Sequence, residues 1–253
     1  MNLPLTSPGD PPGLPARASL FLDFDGTLVQ LAPRPQDVSV APWVVPTLQS
    51  LLQKLEGALA IVSGRPLSAI DAFLHPLVLA GAGCHGVQQR NVSGRTRLHE
   101  SAPPTSVVAC ARALAARHGG LLLESKPSGV ALHYRSSPEL GPMCRELLAQ
   151  ALAESPSAAV EWELQDGHCV CELKQRAISK GSAVRACLAE APFTGRLPVF
   201  VGDDVTDEDG IRAVQAAGGF GIRVGPGDSE ARYRLTDTDA VADWLRHAAA
   251  EEA

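Results

Sequence analysis

The chain has 253 residues, 45% hydrophobic and 20% charged, which allows one large or two modest cored domains and excludes an intrinsically disordered class. A formal net charge of −6 without a basic stripe argues against a nucleic-acid partner. No apolar run is long enough to span a bilayer, so no membrane association is expected.

Residues 1–17 are rich in Pro and Gly and carry no basic n-region or apolar h-region. They are expected to be a flexible leader and not a signal peptide, so a cytoplasmic location follows. Ser19 to Asp23 then reads as a short buried strand whose polarity changes abruptly at Asp23-Phe24-Asp25-Gly26-Thr27. Trp43 to Leu55 is predicted as a helix, with Pro42 near its start and Gly57 after its end. Ala58 to Val62 is a second buried strand that delivers Ser63-Gly64-Arg65, and Pro66 opens the next helix. A third apolar run, Leu77 to Ala80, leads into Gly81-Ala82-Gly83-Cys84-His85-Gly86. This β-α-β order predicts a parallel sheet with these loops along one edge.

Asn91 to Gly94 suggests a hairpin turn, and Pro103-Pro104 a domain boundary. Helix 106–118, strands 121–125 and 129–135, helix 138–154 and strands 160–164 and 169–173 follow. That order implies a small antiparallel sheet backed by two helices, an α+β module inserted in the α/β domain. Glu124 and Lys126 alternate onto one strand face, with Glu172 expected on a neighbouring strand. His133 and Arg135 face together on theirs. The α/β rhythm resumes with Ser179 capping a helix that carries Lys180. Strand 197–201 ends in Gly202-Asp203-Asp204-Val205-Thr206-Asp207-Glu208-Asp209, followed by a helix to Ala217, strand 220–224 and a final helix over about 240–250.

None of the six cysteines forms a C-x-x-C pair. Cys169 and Cys171 are expected on one strand face. A disulfide framework or a zinc site is one reading; small buried thiols in a reducing compartment is the preferred one.

Four polar clusters therefore gather at strand or helix ends of one sheet: Asp23/Asp25/Thr27, Ser63, Lys180 and Asp203/Asp204/Asp207. Crowded carboxylates repel unless a cation binds, and oxygen donors without His or Cys suit Mg²⁺. A cation, a lysine and hydroxyls together fit a phosphoryl group. Lys180 neutralises its oxygens, and Ser63 and Thr27 donate hydrogen bonds to them. Asp23 can attack phosphorus, while Asp25 protonates the leaving alkoxide and later deprotonates water. Each cluster has a plainer alternative: a helix-capping turn, a solvated lysine, a turn hydroxyl, or acids enriched at a helix N-terminus. All four in this order favour the site.

These motifs, in this order, resemble the haloacid-dehalogenase-type phosphatase superfamily. Val62-Ser63-Gly64-Arg65, Gly83-Cys84-His85-Gly86, Glu124-Ser125-Lys126-Pro127, Val130 to Arg135, Glu172-Leu173-Lys174, Ser179-Lys180-Gly181 and Gly202 to Asp209 are similar to the trehalose-6-phosphate phosphatase family. The family usually has Pro after Glu-Leu-Lys, where this chain has Gln175.

The resemblance implies a Rossmann-like parallel-sheet core domain (residues 18–103 and 176–253) with an inserted α+β cap domain (104–175) that sets specificity. It implies Mg²⁺ held by Asp23, the backbone carbonyl of Asp25 and Asp203, with Asp204 and Asp207 acting through water or by orienting Lys180. It further implies substrate contacts from Arg65, His85, Glu124, Lys126 and Glu172, and a monomer acting on the small molecule trehalose 6-phosphate. For the cap residues a surface salt bridge is the plainer alternative, and for His133 and Arg135 it is packing and hinge support. Rival activities are a phosphatase for sucrose phosphate or mannosyl-phosphoglycerate, a non-catalytic sugar-phosphate sensor, and a phosphotransferase or mutase. Intact Asp23, Asp25, Lys180 and Asp203 argue against the sensor.

Overall fold

The computed structural model describes residues 9–32, 34–99, 102–126, 129–167 and 169–250, without the side chains of Pro35 and Lys126. The expected turn at Pro127-Ser128 and the first eight residues of the expected leader lie outside this set. The chain divides into two compact units, Met1–Leu98 with Ser179–Ala253, and His99–Ile178.

The first unit begins with β1 (Ala18–Leu22), α1 (Val44–Lys54), β2 (Leu59–Val62), α2 (Leu67–Leu74), β3 (Ala80–Gly83), β4 (Gln88–Arg90) and β5 (Thr96–Leu98). The second unit contains α3 (Thr105–Arg117), β6 (Leu122–Lys126), β7 (Gly129–His133), α4 (Gly141–Ala153), α5 (Pro156–Glu161), β8 (Trp162–Gly167) and β9 (Val170–Gln175). The chain then completes the first unit with α6 (Lys180–Leu188), β10 (Leu197–Gly202), α7 (Glu208–Ala216), β11 (Phe220–Val224), β12 (Tyr233–Leu235) and α8 (Thr238–Ala250).

The first unit's sheet has the order β12-β11-β10-β1-β2-β3-β4-β5. It is parallel from β12 to β3, and β4 and β5 add an antiparallel hairpin. Every residue of β1, β2 and β11 is buried, as expected of parallel strands covered on both faces. The strand order reverses between β1 and β10. Such a switch point opens a crevice outside the carboxyl ends of the strands.

The second unit's sheet is antiparallel, in the order β6-β7-β9-β8. Val130, Leu132, Cys171 and Leu173 pack with Val107, Ala111 and Leu148 of α3 and α4. On the opposite face, Glu124 on β6, Ala131 on β7, Glu172 on β9 and Gln165 on β8 form one cross-strand row.

Several expectations need correction. Residues 9–17 are not a free leader. Leu14 is buried, Gly9 O accepts from Arg234 N at 3.1 Å, and Pro12 O accepts from Trp244 Nε1 at 2.9 Å. Prolines extend this segment and leave its carbonyls available. The third strand lies at Ala80–Gly83 and not at 77–80, so residues read as a loop are the strand itself. A Cβ on Gly81 would overlap the Ile61 carbonyl, and only a small residue permits that approach. Pro156 at a helix start and the alanines after it make α5 where a strand was expected, delaying β8 to Trp162. Cys169 sits in a turn with φ 58° and shares no strand face with Cys171. Arg135 falls beyond β7, and β9 is separated from β6 by β7, so Glu124 and Glu172 are not on adjacent strands. The second unit begins at His99, directly after the β4–β5 hairpin of the first sheet and not at Pro104, and it ends at Ile178 and not at Gln175.

Candidate active site

The site is built at the carboxyl ends of β1, β2 and β10 and the start of α6. At the end of β1, Asp23 N donates to Val201 O at 2.9 Å, tying the strand end to β10. Gly26 follows with φ 73°, and a Cβ there would overlap the Asp203 carboxylate. Only glycine lets this loop turn while Asp203 approaches it. Thr27 is fully buried behind the turn.

α6 starts at Lys180 because Ser179 caps it reciprocally. Ser182 N donates to Ser179 Oγ at 3.2 Å, and Ser179 N donates to Ser182 Oγ at 3.0 Å. A cap of this kind stabilises a helix by about 1 kcal/mol. It fixes Lys180 in the first turn, where its Nζ donates to Asp23 Oδ1 at 2.7 Å and to Asp207 Oδ1 at 2.6 Å. The Lys180 side chain is 3% exposed and that of Asp207 0%.

Asp207 Oδ2 in turn accepts from the backbone N–H groups of Asp203 (3.1 Å) and Asp204 (2.9 Å). Both oxygens of Asp207 are thus committed within the protein, and the residue anchors Lys180 and the loop after β10. Asp204 is exposed and accepts from Val205 N at 2.7 Å.

One buried ammonium faces three carboxylates. Burial first, and then the repulsion of Asp207, push Asp23 well above the usual carboxylate range despite Lys180. Burial and the neighbouring Asp207 and Asp204 push Asp203 up to about 6. Burial alone would lower Lys180, but Asp23 and Asp207 outweigh it and raise the lysine, which stays charged. Oxygens of Asp23, Asp203 and Asp207 lie within 4.8 Å of one another. Among the described residues, Asp203 Oδ1 and Thr27 Oγ1 are buried without a hydrogen-bond partner. Unsatisfied oxygens beside excess negative charge fit a hard cation and the phosphoryl group it accompanies.

Directly after β2, Ser63 N donates to Ala82 O at 2.9 Å, and Ser63 Oγ accepts from Arg65 N at 3.1 Å. The Asp25 carboxylate does not join the acidic cluster; it pairs with Arg65. Asp25, Arg65, His85, Gly64, Leu31, Ala32 and Val38 line a cavity of about 400 Å³. Sequence reasoning missed its apolar wall, Leu31, Ala32 and Val38, and also Phe73, whose ring centroid lies 5.0 Å from the Arg65 guanidinium carbon. The exposed run Gln30-Leu31, directly after a motif, was the available signal. In the second unit, Glu124 Oε2 lies 2.8 Å from His133 Nε2. The Lys126 side chain is outside the described residues.

A switch-point crevice holding Asp23, Ser63, Lys180 and Asp203 defines a haloacid-dehalogenase-like hydrolase fold. A haloacid dehalogenase-like hydrolase from B. subtilis superposes with TM-score 0.60 at 15% identity, covering 90% of this chain and 99% of that one. The C-terminal domain of C. albicans trehalose-6-phosphate phosphatase superposes with TM-score 0.73 at 18% identity, covering 92% of each chain. The family model described as Trehalose-phosphatase matches residues 21–239. The trehalose-6-phosphate phosphatase of Escherichia coli (strain K12) is 37% identical over 97% of this chain and 90% of its own. The chain belongs to the trehalose-phosphatase family.

Proposed function

We propose that this protein is a Mg²⁺-dependent phosphatase that hydrolyses trehalose 6-phosphate to trehalose and phosphate through an aspartyl phosphate on Asp23. The observation that carries the mechanism is the Lys180 ammonium held between Asp23 and Asp207 beside the unpartnered Thr27 Oγ1 and Asp203 Oδ1. The substrate assignment is supported by family membership and by similarity along nearly the whole chain.

Asp23, in its ionised form, attacks phosphorus, and the phosphorus–oxygen bond to the sugar breaks. Asp25, entering the step as the protonated acid, gives the leaving alkoxide its proton and is left as the carboxylate. Asp25 then takes a proton from water as the water attacks the aspartyl phosphate, which regenerates Asp23 and releases phosphate. Lys180 offsets charge on the transferring oxygens, and Thr27 and Ser63 donate to them. Mg²⁺, when bound, would be held by Asp23, the Asp25 carbonyl and Asp203, and it supplies charge neutralisation at the phosphoryl oxygens. His85 of the 400 Å³ cavity and Glu124, Lys126 and Glu172 of the second unit are assigned to the sugar. Free cysteines at all six positions are in keeping with the cytoplasmic location proposed for the protein; a monomer is proposed as well.

The test is phosphate release from trehalose 6-phosphate, glucose 6-phosphate, sucrose phosphate and mannosyl-phosphoglycerate, with Mg²⁺ and with excess chelator. Preferred turnover of trehalose 6-phosphate, lost in chelator and restored by Mg²⁺, is the expected result. Equal turnover of all four, or full activity in chelator, would overturn it.

A further inference from the structure

The Arg65 guanidinium grips Asp25 with two parallel bonds: Nε donates to Oδ2 at 2.6 Å and Nη2 to Oδ1 at 2.7 Å. Among the described residues, no other side chain or backbone group partners the Asp25 carboxylate. The grip is itself held in place. The guanidinium carbon lies 5.0 Å from the Phe73 ring centroid and 5.8 Å from that of Phe24. The Arg65 backbone is fixed on both sides, its N–H donating to Ser63 Oγ at 3.1 Å and its carbonyl accepting from Cys84 N at 3.0 Å. Asp25, by contrast, stands three residues past the end of β1 and directly before Gly26, and its side chain is 29% exposed.

We propose that Arg65 is a positioning residue for Asp25, and that its work is to aim that carboxylate into the cavity and not to contact the sugar. The proposal rests on the role given to Asp25 above. Proton transfer needs the carboxylate within about 2.6–3.2 Å of the sugar oxygen or water. A displacement of about 1 Å can lower the rate about a hundredfold. A carboxylate without other restraints has several rotamers, and a bidentate fork selects one of them. The planar guanidinium, clasped by two rings, supplies that geometry; a lysine at the same position would supply a point charge without it. The loop after β2 thereby sets the geometry of the loop after β1.

The experiment is steady-state kinetics with Mg²⁺ on the full chain, comparing wild type, Arg65→Ala, Arg65→Lys, Asp25→Ala and the Arg65→Ala/Asp25→Ala double variant. Substrates are trehalose 6-phosphate and para-nitrophenyl phosphate, whose good leaving group needs little protonation. Arg65→Ala is expected to lower kcat on the sugar ester roughly 10- to 100-fold with KM changed less than about threefold. Its loss on the aryl ester should be several-fold smaller, and Arg65→Lys should recover only part of the deficit. In the Asp25→Ala background, adding Arg65→Ala should change kcat by less than about twofold, because no carboxylate remains to be aimed. A rise in KM with kcat held, or losses that multiply in the double variant, would overturn the proposal. If Arg65→Ala does not fold by circular dichroism, Arg65→Lys with Asp25→Ala completes the same cycle. A wild type that turns over glucose 6-phosphate but not trehalose 6-phosphate overturns the substrate assignment alone, and the Arg65–Asp25 coupling is then read on glucose 6-phosphate.

Discussion

The charged residues expected at the site are organised in opposite ways in the two units. In the first unit they are buried and locked together, with Lys180 3% exposed between Asp23 at 5% and Asp207 at 0%. In the second unit they stand on the sheet face turned away from α3 and α4. Glu124 and His133 are 48% and 36% exposed. Buried charges interact strongly and tolerate no missing partner, whereas exposed pairs contribute roughly 0–1 kcal/mol. A reacting centre gains from fixed charge that needs no reorganisation during the step. A surface that recognises hydroxyls gains from groups left available to hydrogen-bond. On the function proposed above, the contrast separates the residues of chemistry from those of recognition.

The comparison is broken first at the nucleophile. Asp23→Asn should lower turnover on every substrate by roughly 10⁴-fold or more while the fold persists, as phosphate release and circular dichroism together would report. Survival of more than a small fraction of activity would remove the aspartyl phosphate from the mechanism. Next comes the anchor. Lys180→Met leaves buried carboxylates facing one another and should cost on the order of 3–5 kcal/mol in urea unfolding. His133→Ala, which removes an exposed partner of Glu124, should cost less than about 1 kcal/mol in the same assay. Similar losses for the two would end the contrast.

Recognition is probed by Glu124→Ala and Glu172→Ala. Each should lower kcat/KM for trehalose 6-phosphate about 10- to 100-fold, from roughly 1–3 kcal/mol of lost hydrogen bonding, and lower that for para-nitrophenyl phosphate far less. Equal losses on both substrates would make these residues structural. The smallest effect concerns the metal. Asp203 is pushed up to about 6 by burial and neighbouring carboxylates, so its charge burdens the folded state. Without Mg²⁺, Asp203→Asn should be no less stable than wild type. Saturating Mg²⁺ should raise the wild-type Tm by a few degrees, about 2–4 °C per kcal/mol of binding linkage, and raise that of the variant less. Equal shifts in a thermal melt would take Asp203 out of the metal site.

How far the sequence reached differs between these two units in the same way. Asp23, Ser63, Lys180 and Asp203 each follow a buried strand or open a helix, so local pattern alone puts them at element ends, and the parallel β-α-β rhythm puts those ends on one edge. Nothing in a parallel sheet with right-handed crossovers leaves that edge free to vary. The antiparallel module was legible as strand pairs around turns, but its strand order was not. Pairing between β7 and β9 joins residues about forty positions apart, and period-2 patterning carries no record of which strand a face meets. Side-chain partners were the least legible feature. Asp25 and Arg65 are forty residues apart and are read separately in the sequence, Asp25 as acid and base and Arg65, through the family resemblance, as a substrate contact; their grip on each other exists only because β1 and β2 are adjacent and Phe24 and Phe73 close around the guanidinium. The same holds for Asp207, whose dual hold on Lys180 and the loop after β10 depends on α6 packing against α7. The sequence by itself determined the chemical inventory and the edge on which it gathers, because both follow from local periodicity and chain order. Only the tertiary structure decided which charge answers which, because that depends on distances of a few ångströms between segments the chain keeps far apart.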